Sequence, residues 1–468
     1  MVNHMTDDPR ADRVAAALAA RLSDTWGLAV TITAIEPVSM GASKAIWRFT
    51  ATPQGGDPVR LVLRADPIEA PQPARMASEA AVLAAAHAAG VPVPRVIVSG
   101  ADDGIGSPHV IMECIDGETL PQRILRSSAV QANPETLAYD LGAAIAAVHR
   151  IQPEATSLQP VNDVTDFEAQ YRRGAPSPAM ELGWRWLREN PTEPRRPVVV
   201  HGDFRHGNII VDDGRLAAVL DWELAHIGDP LEDLGWITTK AWRFGGASPV
   251  GGFGQIEDLL GGYADVAGWS PAPREVLWWS IYGSIRWGIM CRRQAARHLE
   301  GDEESLELAL IGRRFAENEL DVLIGLGLGL AEPHGPEATP LAAPIAQATM
   351  FGSPTMTDVL DAILTERAAS TDYRDRLLRS ALGVVRRELT DGQAHEDKLH
   401  DALQTAGYAS EAELAEAIRE GAAITPAVID AVRAGVEGRL LIWNPKYLGY
   451  PAPPESFRVH AAFSAEVP

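Results

Sequence analysis

Residues 198–234 read VVVHGDFRHGNIIVDDGRLAAVLDWELAHIGDPLEDL. The β-branched run at 198–200 predicts a short strand, 209–211 a second and 216–220 a third, because such side chains suit a pleated, half-buried surface. Between the last two, Asp213-Gly214 is the dipeptide of a two-residue hairpin turn, whose central residues need positive φ. Folding about that turn brings Asn208 and Asp221 nearly opposite each other at the open end of the hairpin. An amide oxygen and a carboxylate then converge, and Asp203 lies on the loop that enters the hairpin.

Two hard oxygen donors at one point suit Mg²⁺, which takes one or two protein ligands together with the phosphates of a substrate. Asp203 is then placed to face that metal and to accept a proton from a hydroxyl. Two other readings compete. In the first, Asp203, Asn208 and Asp221 are loop and hairpin-end groups that cap backbone N–H donors. In the second, His201, Asp203 and His206 are ligands of a metallohydrolase, since H-x-D-x-x-H sets nitrogen and oxygen donors close together. That reading lacks further histidines nearby and leaves Asn208 unexplained.

Upstream, residues 11–22 carry Val14, Leu18 and Leu22 at helical spacing, and 28–35 alternate like a strand. Strands are predicted at 45–51, 59–65 and 108–113, with a helix at 74–89 between the second and third of these, so a small sheet with one inserted helix results. An Ala-rich helix is predicted over 133–150, where a mostly helical region begins. Further on, Trp278, Trp279, Ile281, Ile285 and Ile289 repeat as a buried helix face does. On the same helix Arg286, Arg293 and Arg297 recur at intervals that place three guanidinium groups near one face, where they are candidates for meeting an anionic substrate or for ordinary surface pairing. Gly245-Gly246 and Gly251-Gly252 mark a turn-rich loop. Residues 331–354 hold five prolines among small residues, a composition that cannot sustain a helix, and are read as an interdomain linker. After it, Met356, Val359, Leu360, Ile363 and Leu364, then Leu377, Leu378, Ala381, Leu382 and Val385, predict amphipathic helices of a small bundle.

The segment from His201 to Asn208, followed after a hairpin by Asp221, resembles the catalytic loop and metal-binding aspartate of kinases. Its Gly202 form, with Asp221-Trp222-Glu223 and the Gly228-Asp229-Pro230 and Asp233-Leu234 pattern, is similar to the aminoglycoside and choline phosphotransferase family. Within it the chain most resembles the branch found fused or linked to acyl-CoA dehydrogenases. The resemblance covers residues 20–330 and implies an α+β, bilobal protein-kinase-like fold followed by an all-α C-terminal domain. The expected division is a kinase-like N-lobe at 1–115, a helical C-lobe with the catalytic loop at 116–330, the linker at 331–354, and at 355–468 a helical domain similar to a bacterial module of no known role.

Residue by residue, the resemblance implies Asp203 as catalytic base, Asn208 and Asp221 as Mg²⁺ ligands, and His201, Asp229 and Asp233 as structural support. It places ATP's adenine at a hinge over 111–117, where the Glu113 carbonyl and the Ile115 N–H are the binding groups. It makes the stretch 39–43, with Ser43, the loop that covers the phosphates, and pairs Glu79 with the phosphate-binding cation of the neighbouring strand. That cation is Arg64, where most kinases have Lys. Arg stays charged and clamps phosphate through two parallel hydrogen bonds, a geometry an ammonium lacks.

Over 468 residues, with 46% hydrophobic and 22% charged residues, the composition is that of a globular chain of two or three domains. A net charge of −22 excludes a phosphate-backbone footprint, so no nucleic-acid partner is expected. Two isolated cysteines, Cys114 and Cys291, fit a reducing compartment, and the absence of a signal-peptide layout or of a run near the length of a membrane span completes a cytoplasmic, membrane-free expectation. The expected activity is transfer of a phosphoryl group from ATP, with Mg²⁺, to a hydroxyl of a small metabolite, a hydroxyacyl-CoA-like acceptor ranking above an aminoglycoside or amino alcohol. The alternative is a nucleotide-binding pseudokinase that works through its C-terminal helices. A homodimer is left open.

Overall fold

The computed structural model describes residues 9–38, 45–67, 71–102, 104–329, 356–367, 372–459 and 462–463. Contacts divide the chain into two compact units. The first takes Met1–Val161, Arg195–Asp233 and Gly254–Ser270. Its centre is an antiparallel sheet of β1 (Val30–Pro37), β2 (Ala45–Pro53), β3 (Val59–Ala65), β4 (Val96–Gly100) and β5 (His109–Glu113), in the order β1-β2-β3-β5-β4. Alternation decides which side chains face which way. Trp47, Phe49 and Ala51 of β2, with Leu61, Leu63 and Ala65 of β3, point to one face and bury against Ala11, Leu18 and Leu22 of the helix Pro9–Trp26. Val62, Val110 and Met112 point to the other and pack on Met76 and Ala80 of the helix Pro73–Ala88. Arg64, two residues beyond Val62, therefore faces that second helix, and so meets Glu79.

Two further two-stranded sheets follow. β6 (Val198–Val200) pairs with β9 (His226–Gly228), and β7 (Ile209–Asp212) with β8 (Arg215–Val219). The hairpin turns at Asp213 and Gly214, both at positive φ, the conformation that the Asp-Gly pair accepts at least cost. An irregularity between Ile210 and Val211 shifts the register by one, so Asn208 faces Leu220, whose N–H donates to the Asn208 carbonyl at 2.8 Å, and Asp221 is the next residue out. Strands β4 and β9 were not foreseen. Each is short, and its place comes from the neighbour it pairs with.

The helix Pro134–His149 crosses Ile256–Ala267 at Gly142 and Gly262. A Cβ at Gly142 would stand 1.8 Å from the Leu259 carbonyl oxygen, and one at Gly262 2.0 Å from that of Tyr139, so only glycine allows these backbones to touch. Among the described residues, no helix is long and apolar enough to cross a membrane.

The second unit takes Asn162–Pro194, Leu234–Phe253 and Pro271–Pro468. Its axis is the helix Pro273–Leu299, which buries Trp278, Trp279, Ile281, Ile285 and Ile289. The helices Tyr373–Ala406, Glu411–Arg419 and Pro426–Trp443 belong to this same unit. By contacts, these C-terminal helices group with part of the expected C-lobe. The expected linker, 331–354, lies outside the described residues.

Candidate active site

β6 delivers the chain into the loop that carries Asp203. Gly202, at φ +75°, makes the turn possible, and a Cβ there would stand 2.4 Å from the Leu224 carbonyl oxygen. Asp233, fully buried, ties the loop from behind: its carboxylate accepts the backbone N–H of His201 at 2.8 Å and of Gly202 at 3.0 Å. His149 adds a third donor, with Nε2 3.3 Å from Asp233 Oδ2. Burial alone would raise the Asp233 pKa. The hydrogen bond from His149, with the His201 backbone N–H, outweighs burial and holds it below the usual carboxylate value.

His201 bridges loop and hairpin. Its Nδ1 accepts the Asp203 N–H at 3.2 Å, so the ring proton sits on Nε2 and is donated to the Leu220 carbonyl at 3.0 Å. Burial pulls its pKa down and keeps it neutral, which these two bonds require. Asp229 works at the start of the helix Leu231–Thr238, where its Oδ1 accepts the Leu231 N–H at 2.8 Å.

On the hairpin side, Asn208 is buried, and its Nδ2 donates to Asp203 Oδ2 at 2.6 Å and to the Asp203 carbonyl at 3.1 Å. The amide is thereby oriented with its oxygen left over. Asp221 sits in the left-handed region at φ 65°, where Asp is one of the few tolerated residues, and Arg64 Nη2 lies 3.0 Å from its Oδ1. Arg64 Nη1 is bonded to the buried Glu79, so one guanidinium joins β3, the helix Pro73–Ala88 and the hairpin's open end. The structure thus joins Asn208 to Asp203, and Arg64 to both Asp221 and Glu79.

The hinge is attached to the hairpin as well. Glu118 and Val211 exchange backbone hydrogen bonds of 2.8 and 3.0 Å, and Gly117, at φ +136°, permits the close approach, because a Cβ there would meet Ile210 Cγ2 at 2.5 Å. The Glu113 N–H is committed to the Arg95 carbonyl and the Cys114 N–H to that of Arg60, whereas the Ile115 N–H takes no backbone partner among the described residues. Ser43 and the rest of 39–43 lie outside the described residues.

Of the arginine trio, one member is buried and two are exposed. Arg286 is buried, pairs with Asp163 at 3.0 Å and lies over the Trp236 ring at 4.4 Å, so its charge is already met inside the second unit. Arg297 pairs with Glu303, and Arg293 is exposed. Helical spacing puts the three on one side of Pro273–Leu299, but the helix runs from a buried stretch to an exposed one, and the face changes character along it.

Three contributors were missed. Arg205 Nε lies 3.1 and 3.2 Å from the two oxygens of Asp203, Arg75 Nη2 lies 3.0 Å from Glu223 Oε2, and His149 supports Asp233 from 84 residues away. Arg205 stands two residues from Asp203 and was open to notice. His149 carries no local signal at all.

Against known proteins, residues 34–269 match the model of the family described as "Phosphotransferase enzyme family", and residues 365–447 that of a domain of unknown function, DUF6285. The chain is 32% identical over 192 residues to mouse acyl-CoA dehydrogenase family member 10, a match covering 38% of this chain and 18% of that protein. It is 29% identical over 242 residues to viomycin phosphotransferase of Streptomyces vinaceus, covering 48% and 76%. The chain thus spans under a fifth of the length of the first of these relatives. Among solved structures, a candidate aminoglycoside phosphotransferase of Ralstonia eutropha superimposes with a TM-score of 0.52 at 22% identity, covering 66% of this chain and 96% of that one. The fold is therefore the kinase-like one of such proteins, with an added C-terminal helical region. A family match over half the chain means that the chain belongs to the phosphotransferase enzyme family.

Proposed function

We propose that the protein transfers the γ-phosphoryl group of ATP to a hydroxyl of a small metabolite, with Asp203 as base. The observation that carries this reading is the Asn208 amide clamped to Asp203, with the Asp221 carboxylate one residue beyond its hairpin partner. Asn208 and Asp221 fit Mg²⁺ in donor type, since one amide oxygen and one carboxylate leave room for phosphate oxygens. When bound, the metal would neutralise charge developing on the phosphates.

The chain's own groups do the rest. Arg205 and Asn208 hold the Asp203 carboxylate in one orientation, toward which an acceptor hydroxyl gives up its proton as the new P–O bond forms. Arg64 supplies a fixed cation near the phosphates, and Glu79 keeps it aimed. The Ile115 N–H and the Glu113 carbonyl are the proposed adenine contacts, and Ser43 a proposed phosphate contact.

For the acceptor, the likeness to acyl-CoA dehydrogenase family member 10 supports a hydroxyacyl thioester. The likeness to viomycin phosphotransferase and the net charge of −22 support a cationic acceptor as the second reading. A labelled-phosphate screen over hydroxyacyl-CoAs, amino alcohols, sugars and aminoglycosides decides between them. Asp203→Asn should lower turnover by about 10²–10⁴-fold while ATP still binds. A wild-type protein that binds ATP but phosphorylates no hydroxyl, and whose ATP turnover is unchanged in Asp203→Asn, would show a pseudokinase instead.

A further inference from the structure

Beside His149, the first unit contains a cavity of about 420 Å³. Arg150, Arg195 and Arg196 line it together with His149, Tyr263 and Trp269, and no lining residue is acidic. In a chain of net charge −22 this is a local inversion of sign. Arg150 and Arg196 are exposed side chains, while the Arg195 guanidinium lies over the Trp269 ring at 5.2 Å. Its aromatic side chains are in mutual contact: Tyr263 meets Trp269 edge-on at 5.4 Å, and its hydroxyl donates to His149 Nδ1 at 3.1 Å. His149 in turn donates from Nε2 to Asp233, which holds the His201 and Gly202 N–H groups of the loop.

We propose that this cavity binds a small phosphate-bearing anion and that occupancy is transmitted to the Asp203 loop through His149 and Asp233. Guanidinium forks match phosphate oxygens two at a time, and the exposed Arg150 and Arg196 offer two such forks, so a diphosphate-bearing metabolite is the class that fits. The volume lies in the range of small-molecule sites. The inference does not depend on the identity of the acceptor.

Inorganic pyrophosphate, in EDTA, is the probe. The full chain should bind it saturably, and Arg150→Glu and Arg196→Glu should each weaken binding by about tenfold or more. Arg126→Glu, an exposed arginine elsewhere, should leave it unchanged, as should Arg64→Gln, which alters the catalytic cleft. Hydrogen exchange should show slower exchange at the His201 and Gly202 amides of the wild type on binding. Binding lost in Arg64→Gln but kept in Arg150→Glu would place the anion in the cleft and overturn the site, as would no saturable binding. Binding without any change at the two loop amides would overturn the transmission.

Discussion

Arg64 shows how much one residue can carry. It joins a buried acid, Glu79, whose side chain is 2% exposed, to the half-open Asp221. Arg64→Ala takes the guanidinium away from the buried Glu79 carboxylate, so it should cost about 3 kcal/mol in stability as well as raising the KM for ATP. Arg64→Lys should restore most of the stability and less of the activity, because an ammonium cannot reach both acids in one plane. Urea unfolding and steady-state kinetics on the two variants check the split. A second residue-scale expectation concerns pH. Burial lowers the His201 pKa below its ordinary 6.5, so as pH falls through that value the unfolded chain takes up a proton that the folded one refuses. Stability is therefore full above 6.5 and declines below it. Melting curves between about pH 5 and 8 should fall more gently on the acid side for His201→Gln, whose amide can still donate to Leu220.

At the scale of elements, the crossing of Pro134–His149 and Ile256–Ala267 offers a sharp comparison. A methyl at Gly142 collides with the Leu259 carbonyl, whereas one at Gly261 finds only Tyr139 Cδ2 at 4.0 Å. Gly142→Ala should destabilise by about 3 kcal/mol through forced separation of the helices. Gly261→Ala should stabilise by about 0.5–1 kcal/mol, since it removes a helix-interior glycine at no steric cost. Equilibrium unfolding of both settles it, and equal effects would mean that the helices are not in backbone contact. The hairpin β7–β8 and the Asp203 loop depend on similar close approaches, at Gly117 and Gly202, which is why glycine stands there beside charged groups.

For the whole molecule, the notable feature lies in the second unit. The helix Phe315–Gly325 presents Glu317, Glu319 and Asp321, all buried, and C-terminal residues meet each of them. Arg439 bonds Glu319 at 2.8 and 3.0 Å, Trp443 and Asn444 bond Glu317, and Tyr447 joins Lys240 on Asp321. Arg419 likewise meets the buried Glu181 at 2.7 Å. Carboxylates inside a core need such partners. Arg439→Met should therefore cost about 2–4 kcal/mol, because Glu319 is left charged in a dry site, and adding Glu319→Gln should recover much of it. If the double variant is no more stable than the single one, the ion pair is not what joins these helices. The sequence gives no sign of these pairs, since a carboxylate on a helix reads as a solvated one until its partner, over a hundred residues away, is known.

What the sequence determined by itself was local. The Asp-Gly turn, the alternation of β2 and β3, and the spacing from Asp203 through Asn208 to Asp221 are set by backbone sterics and side-chain period, which act within a few residues, and the hairpin register came out within one position. β3 began and ended at the residues that the pattern indicated. Only the tertiary structure decided which polar side chains meet. Arg286, read as a candidate substrate contact or surface pair, is buried on Asp163; His149, not singled out at all, supports the Asp203 loop through Asp233; and Arg439 neutralises Glu319 of the helix Phe315–Gly325. The reason is physical. A charge's role depends on its local dielectric and on the partner within a few ångströms, and both are properties of packing between segments distant in the chain.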